Sequence, residues 1–128
     1  MMLPVIAMGK PRLTQRDKWK QRPVVMRYRA YCDELRLLMP NYELPIELYI
    51  TFYLPMPRTW SHKKRIAHLG SYHDQTPDID NLTKGFMDAF KSEDKHVALI
   101  HATKYWADKG AIEIASHVEY SPSLPTFL

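Results

Sequence analysis

The nine residues IELYITFYL, positions 46–54, constrain the fold more than any other stretch of the chain. Ile46, Leu48, Ile50, Phe52 and Leu54 recur at a period of two, which places them on one face of a β-strand. A strand needs partners for its backbone groups and a cover for its apolar face, so both must come from elsewhere in the 128 residues. Met2 to Met8, with β-branched Val5 and Ile6, reads as an opening strand. Val97–Trp106 and Ala111–Tyr120 read as extended segments. Asp108-Lys109-Gly110 between them reads as a hairpin turn with Gly110 at positive φ. Tyr28, Tyr31, Leu35 and Leu38 recur at spacings of three and four between Val24 and Met39, and Pro40 stops that helix. A second helix is expected from Asp78 to about Lys91. The stretches 9–23 and 55–76 read as long loops, and the second, without clear periodicity, has a length that usually signals either function or disorder. The order β, α, β, α, β, β predicts an α/β (α+β) fold, a small mixed sheet packed with two main helices. We expect a single domain over residues 1–120 and a flexible tail over 121–128, where the sequence is rich in Pro and Ser.

Charge is segregated along the chain. Lys10, Arg12, Arg16, Lys18, Lys20, Arg22, Arg27 and Arg29 supply eight of the 18 Lys and Arg, with Asp17 the one acid among them. Arg58, Lys63, Lys64 and Arg65 form a second cationic segment beside Trp60 and His62. Cations gathered this way suit a polyanionic partner, and Lys and Arg on loops suit non-directional contact with phosphates. An ordinary solvated basic surface is the competing account. Trp19, Trp60 and Tyr72 are candidates for stacking on exposed bases, or else packing anchors. The lone Cys32 cannot form an internal disulfide and fits a reducing cytoplasm. No apolar run approaches the roughly 20 residues that span a bilayer, and no secretory leader is recognisable, so no membrane association is expected.

Against that basic background, residues 77–95, PDIDNLTKGFMDAFKSEDK, concentrate carboxylates around a lysine. Helical stepping puts Asp80, Lys84, Asp88 and Lys91 on one polar arc and Leu82, Phe86, Ala89 and Phe90 opposite them. One account is structural: Asp78 caps the helix, and Asp80, Lys84 and Asp88 form i,i+4 pairs worth a few tenths of a kcal/mol each. The other is chemical. Asp78 and Asp80 stand two apart at a helix entrance and can approach one cation, and Glu93-Asp94 returns just after the helix. A few carboxylates, completed by water and phosphate, are how Mg²⁺ is usually held. Such an ion reconciles an acidic centre with a DNA backbone and points to metal-assisted phosphodiester hydrolysis.

The run Asp78-Ile79-Asp80-Asn81-Leu82-Thr83-Lys84-Gly85, then Met87-Asp88-Ala89, then Glu93-Asp94-Lys95-His96-Val97, resembles the RusA family of Holliday junction resolvases. The likeness extends to the order of elements and to the basic segment GKPRLTQRDKW. It implies a homodimeric, Mg²⁺-dependent (or Mn²⁺-dependent) endonuclease that cuts four-way DNA junctions by paired nicks. By matching position, it implies Asp78, Asp80 and Asp94 as metal-binding carboxylates and Lys84 as the catalytic lysine. Asp88 matches a helix acid that is either part of the site or its support. Glu93 stands where aspartate is commoner, and the linker from Phe90 to Asp94 is shorter than in many members. Two alternatives remain at this point. Pro77-Asp78 with Glu93-Asp94-Lys95 also satisfies the loose PD-(D/E)xK nuclease pattern, which would make Lys95 the important lysine. A non-enzymatic, structure-selective DNA-binding protein would use the acidic helix only as surface. His62, His68, His73, His96 and His101 show no zinc-ligand spacing, although His96 lies near the acids in sequence.

Overall fold

The computed structural model describes residues 1–12, 22–90 and 94–116. Its elements are β1 (Met2–Leu3), α1 (Pro23–Leu38), β2 (Glu47–Pro55), α2 (His62–His68), α3 (Ile79–Ala89), a 3₁₀ turn (Asp94–His96), β3 (Leu99–Ala107) and β4 (Ala111–Ala115). Four strands form one mixed sheet in the order β1-β4-β2-β3. β2 runs parallel to β3 and antiparallel to β4, and β1 is antiparallel to β4. The fold is therefore α+β, as the order of elements predicts.

β2 lies inside the sheet, and its burial reflects that: every residue from Leu48 to Leu54 is buried. Leu48, Ile50, Phe52 and Leu54 face the helices and join one core with Tyr28, Tyr31, Leu35, Leu82, Phe86, Ala89, Ile112 and Ile114. The alternate residues cover the other face by pairing across strands. Tyr49 stacks on His101, Tyr53 stacks on Tyr105, and the Thr51 and Thr103 hydroxyls share a 3.2 Å hydrogen bond. The Tyr53 hydroxyl donates to Glu113 at 2.9 Å.

The structure departs from the sequence expectations at several points. The opening strand is only two residues long. Pro4 has no N–H for a ladder, and Val5 N–H turns back to the Leu3 carbonyl at 2.9 Å, although Val5 and Ala7 still enter the core. Asp108–Gly110 is no hairpin, because β2 lies between β3 and β4. The connection crosses the end of β2, from Ala107 opposite Pro55 to Ala111 opposite Tyr53. Gly110 is not at positive φ; it is needed because a Cβ there would stand 2.6 Å from Ile6 Cγ1. The long loop 55–76 contains helix α2. No residue of α2 is buried, so no apolar period marks it, but Ser61 caps it by accepting from Lys64 N–H at 3.2 Å. The second main helix ends at Ala89 rather than about Lys91, which lies outside the described residues, as do 117–120 and the tail at 121–128.

Candidate active site

The site is built on the first half of α3. Leu82, Phe86 and Ala89 are fully buried and fix the helix against the sheet, which leaves Asp80 and Lys84 exposed along the side that meets β3. There Asp80 and Lys84, with Ile79, Thr83, Met87, Ile100 and Ala102, line a cavity of about 470 Å³. Asp78 occupies the N-cap position, but its side chain makes no capping hydrogen bond; the first turn is closed by Leu82 N–H on the Asp78 carbonyl at 3.0 Å. The capping account of Asp78 is thus overturned, and its carboxylate stands exposed.

The expected ladder of i,i+4 pairs is also absent. Lys84 pairs with neither Asp80 nor Asp88 among the described residues. Asp88 turns towards α1 instead, where its carboxylate accepts from Lys10 Nζ at 3.1 Å and from the Tyr28 hydroxyl at 2.9 Å. That hydroxyl is shared with the Gly85 carbonyl at 3.2 Å. Burial, and then the hydrogen bond to Asp88, push the Tyr28 hydroxyl far above its ordinary pKa, so it stays a donor.

Asp94 opens the 3₁₀ turn that follows the C-terminal end of α3, whereas Asp78 and Asp80 stand at the N-terminal end. Eleven helical residues rise about 16 Å. The side chain of Asp94 and all of Glu93 lie outside what the structure describes. Among the described residues no three His, Cys, Asp or Glu side chains gather as a metal cluster. His96 lines a different cavity, of about 730 Å³, with Met1, Tyr42, Ile46, Ile114 and Ser116.

The model of the family described as Endodeoxyribonuclease RusA matches residues 3–116, most of the chain. The chain belongs to the RusA family. No curated protein and no solved structure shows significant similarity to it. RusA nucleases are endodeoxyribonucleases that resolve Holliday junctions in DNA recombination, and this chain shares that activity. The non-enzymatic reading is thereby set aside. The PD-(D/E)xK reading loses ground as well, because α3 separates its two halves and Lys95 lies on a 3₁₀ turn instead of a strand.

The RusA motif also explains its glycine. A Cβ at Gly85 would stand 2.6 Å from the Met8 carbonyl oxygen and 3.3 Å from Lys10 N, so only glycine lets the 8–10 segment lie against α3. Lys10 N–H reaches the Asn81 carbonyl at 3.4 Å, and Gly9 sits against the Asn81 side chain. The stem of the first basic segment is therefore docked on α3. Arg22, at the N-cap of α1, donates from Nη2 to the Arg12 carbonyl at 2.9 Å and closes that stem. Arg16, Lys18, Lys20 and Trp19 lie outside the described residues.

In the second basic segment Arg58, Lys63 and Lys64 are exposed. Lys64 Nζ lies 4.4 Å over the Trp60 ring, which packs against Trp106. Arg65 has structural duties: it donates to the Pro57 carbonyl at 3.0 Å and pairs with Asp108 at 3.5 Å. Tyr72 is 71% exposed and stacks on Tyr105 with centroids 5.3 Å apart.

Lys104 is the residue that sequence reasoning missed. Its Nζ donates to the carbonyls of Gln75 and Pro77, immediately before Asp78. The signal available was its phase on β3, which it shares with Ile100 and Ala102 on the face towards α3.

Proposed function

We propose that this RusA-family nuclease is a Mg²⁺-dependent homodimer that resolves four-way DNA junctions by paired symmetric nicks, with Asp78, Asp80 and Asp94 holding the metal and Lys84 at the scissile phosphate. The observation that carries this reading is the pair Asp78 and Asp80: exposed carboxylates two residues apart, uncapped, beside a lysine that neither neutralises. Hard oxygen donors in that arrangement fit Mg²⁺, and Mn²⁺ as its substitute. Such an ion, when bound, supplies charge to the phosphate oxygens and lowers the pKa of water. Lys84, one helical turn after Asp80, presents its ammonium to the phosphate and offsets charge that develops on it. Asp88, engaged by Lys10 and Tyr28, supports the site from behind and holds no metal.

The dimer surface we favour is the open part of the β3 edge. Residues 70–73 already cover that edge, with Gly70 N–H on Trp106 O, Trp106 N–H on Ser71 O and His73 N–H on Lys104 O. Leu99 and Ile100, 39% and 48% exposed, lie beyond that cover. Two copies related by a twofold axis match the symmetry of a four-way junction and of two cuts. The length of α3 between Asp78 and Asp94 within one chain favours a site completed across this dimer, with position 94 supplied by the second copy.

Lys10, Arg12, Arg16, Lys18, Lys20, Arg22, Arg58, Lys63 and Lys64 would contact the DNA backbone, with Arg65 holding α2 in place. A free, buried Cys32 suits a cytoplasmic protein, and among the described residues no helix is long and apolar enough to cross a membrane. The deciding experiment is a synthetic four-way junction incubated with wild type and Asp80→Asn, with and without Mg²⁺. Paired nicks that need both the metal and Asp80 support the reading; cleavage by Asp80→Asn, or in chelator, refutes it.

A further inference from the structure

We propose that Lys104 is a positioning residue for the metal-binding pair: its ammonium clamps the 75–77 segment to β3 and so fixes where Asp78 and Asp80 stand. Three bonds support this. Lys104 Nζ donates to the Gln75 carbonyl and, at 2.8 Å, to the Pro77 carbonyl. The Lys104 carbonyl accepts from His73 N–H at 3.0 Å. One residue thus holds positions 73, 75 and 77, every second residue of the approach to Asp78. An ammonium has three donors and carries its full charge, so two backbone carbonyls are strong and directional partners for it.

His73 brings no second positive charge to the clamp, although the Asp74 carboxylate beside it acts against the lowering of its pKa. His73 is 6% exposed, with its ring centroid 4.0 Å from that of Trp106. Burial, followed by the charge of Lys104, lowers its pKa, so it stays neutral beside the ammonium. On the same phase of β3, Ala102 and Ile100 line the cavity that Asp80 and Lys84 share. Lys104 therefore connects the strand beneath that cavity to the entrance of the helix above it. Without the clamp, 75–77 is free to swing, and the Asp78 carboxylate loses its relation to Asp80. Lys84 and Lys104 divide the work: the first faces the cavity, and the second acts through backbone carbonyls.

This inference rests on the metal-dependent reading above, and its test separates the two. Lys104→Met keeps the aliphatic stem and removes the donors, while Lys104→Arg keeps donors. Metal dependence is read both as junction cleavage against Mg²⁺ concentration and as the rise in melting temperature with Mn²⁺ in the absence of DNA. Supporting groups behind metal ligands typically change affinity about 10- to 100-fold when lost. Lys104→Met is expected to raise the half-saturating metal concentration about tenfold in both assays. Excess Mg²⁺ restores kcat, junction affinity in chelator stays within about twofold, and Lys104→Arg stays near wild type. If Lys104→Met does not fold, Lys104→Gln, whose amide can reach one carbonyl, carries the same test. Wild-type metal dependence in Lys104→Met overturns the clamp, as does weakened junction binding with unchanged metal dependence, which would make Lys104 a phosphate contact. Wild-type protein that cuts without metal sinks the underlying reading instead.

Discussion

Gly85→Ala tests whether α3 and the basic stem act as one body. The added methyl gains helix propensity, about 1 kcal/mol relative to glycine. It also stands 2.6 Å from the Met8 carbonyl oxygen, and a backbone atom, unlike the end of a long side chain, cannot rotate away. Overpacking of this kind costs about 1–3 kcal/mol. The net expectation is a loss of about 1 kcal/mol, or about 3–6 °C in Tm at this chain length. The 8–10 segment must then lift from α3, weakening the Lys10 contacts to Asn81 and Asp88 and tilting the basic stem. Junction affinity should fall about tenfold, and the slope of log affinity on log salt should flatten by about one phosphate contact. Gly9→Ala is the control in the same contact. Its methyl would meet the Asn81 side-chain amide at 2.4 Å, an end group that can turn aside, so it should cost less. Urea unfolding followed by fluorescence, with junction binding at several salt concentrations, measures both effects. A Gly85→Ala protein as stable as wild type, with an unchanged salt slope, refutes the close-approach argument.

Asp88→Asn should keep metal-dependent cleavage while losing about 1 kcal/mol of stability, because its ion pair is on the surface and its hydrogen bond to Tyr28 is single; a folded but inactive variant would instead place Asp88 among the metal ligands. Equimolar Asp80→Asn and Asp94→Asn, unfolded and refolded together, should regain about a quarter of wild-type nicking, since half the dimers then hold one intact composite site out of two. Those products should be single nicks, and a mixture with no activity argues that each site lies within one chain. His73, held neutral by burial and by Lys104, makes the folded state bind its proton less readily than the unfolded chain, whose ordinary value is 6.5. Stability should therefore be full above about pH 6.5 and decline as pH falls below it, and His73→Phe should lessen that decline in urea titrations at pH 7.5 and 5.5. Lys84→Ala should abolish cleavage while leaving junction binding largely intact, and Lys95→Ala should cut normally; the reverse pattern would revive the PD-(D/E)xK reading.

The main elements were legible because their residues face two distinct environments. Tyr28, Tyr31 and Leu35 on α1, and Leu82 and Phe86 on α3, have one side on the core, so a period near 3.6 appears in the sequence. The carboxylates of α3 were legible for the converse reason: the same period that buries Phe86 exposes Asp80 and Lys84. α2 was hidden because it buries nothing, and its cap, Ser61, is a residue type common in loops. The placement of β4 was hidden because a tight link between two extended segments signals adjacency, whereas β2 takes the place between them. Asp88 could be placed on a polar arc but not aimed, since its partners Lys10 and Tyr28 lie 78 and 60 residues away. Lys104 was illegible on similar grounds. Its partners are backbone carbonyls, which carry no residue-type signal.

The position of β2 between β3 and β4 has a consequence for how the chain is made. Among the described residues, no two strands that follow one another in sequence through a tight turn pair with each other, so the sheet described has no local hairpin from which to start. β2 can pair with β3 only across the α2–α3 crossover, and β4 finds its partners in β2 and, more than a hundred residues back, in β1. Loop closure must precede nearly every strand pairing, which slows folding relative to chains rich in local contacts. During synthesis, the inner edge of β2 waits unpaired until β4 has left the ribosome. A nascent chain halted just before Ala111 should therefore remain sensitive to protease, and one extended past Ser116 by the length of the exit tunnel should resist it.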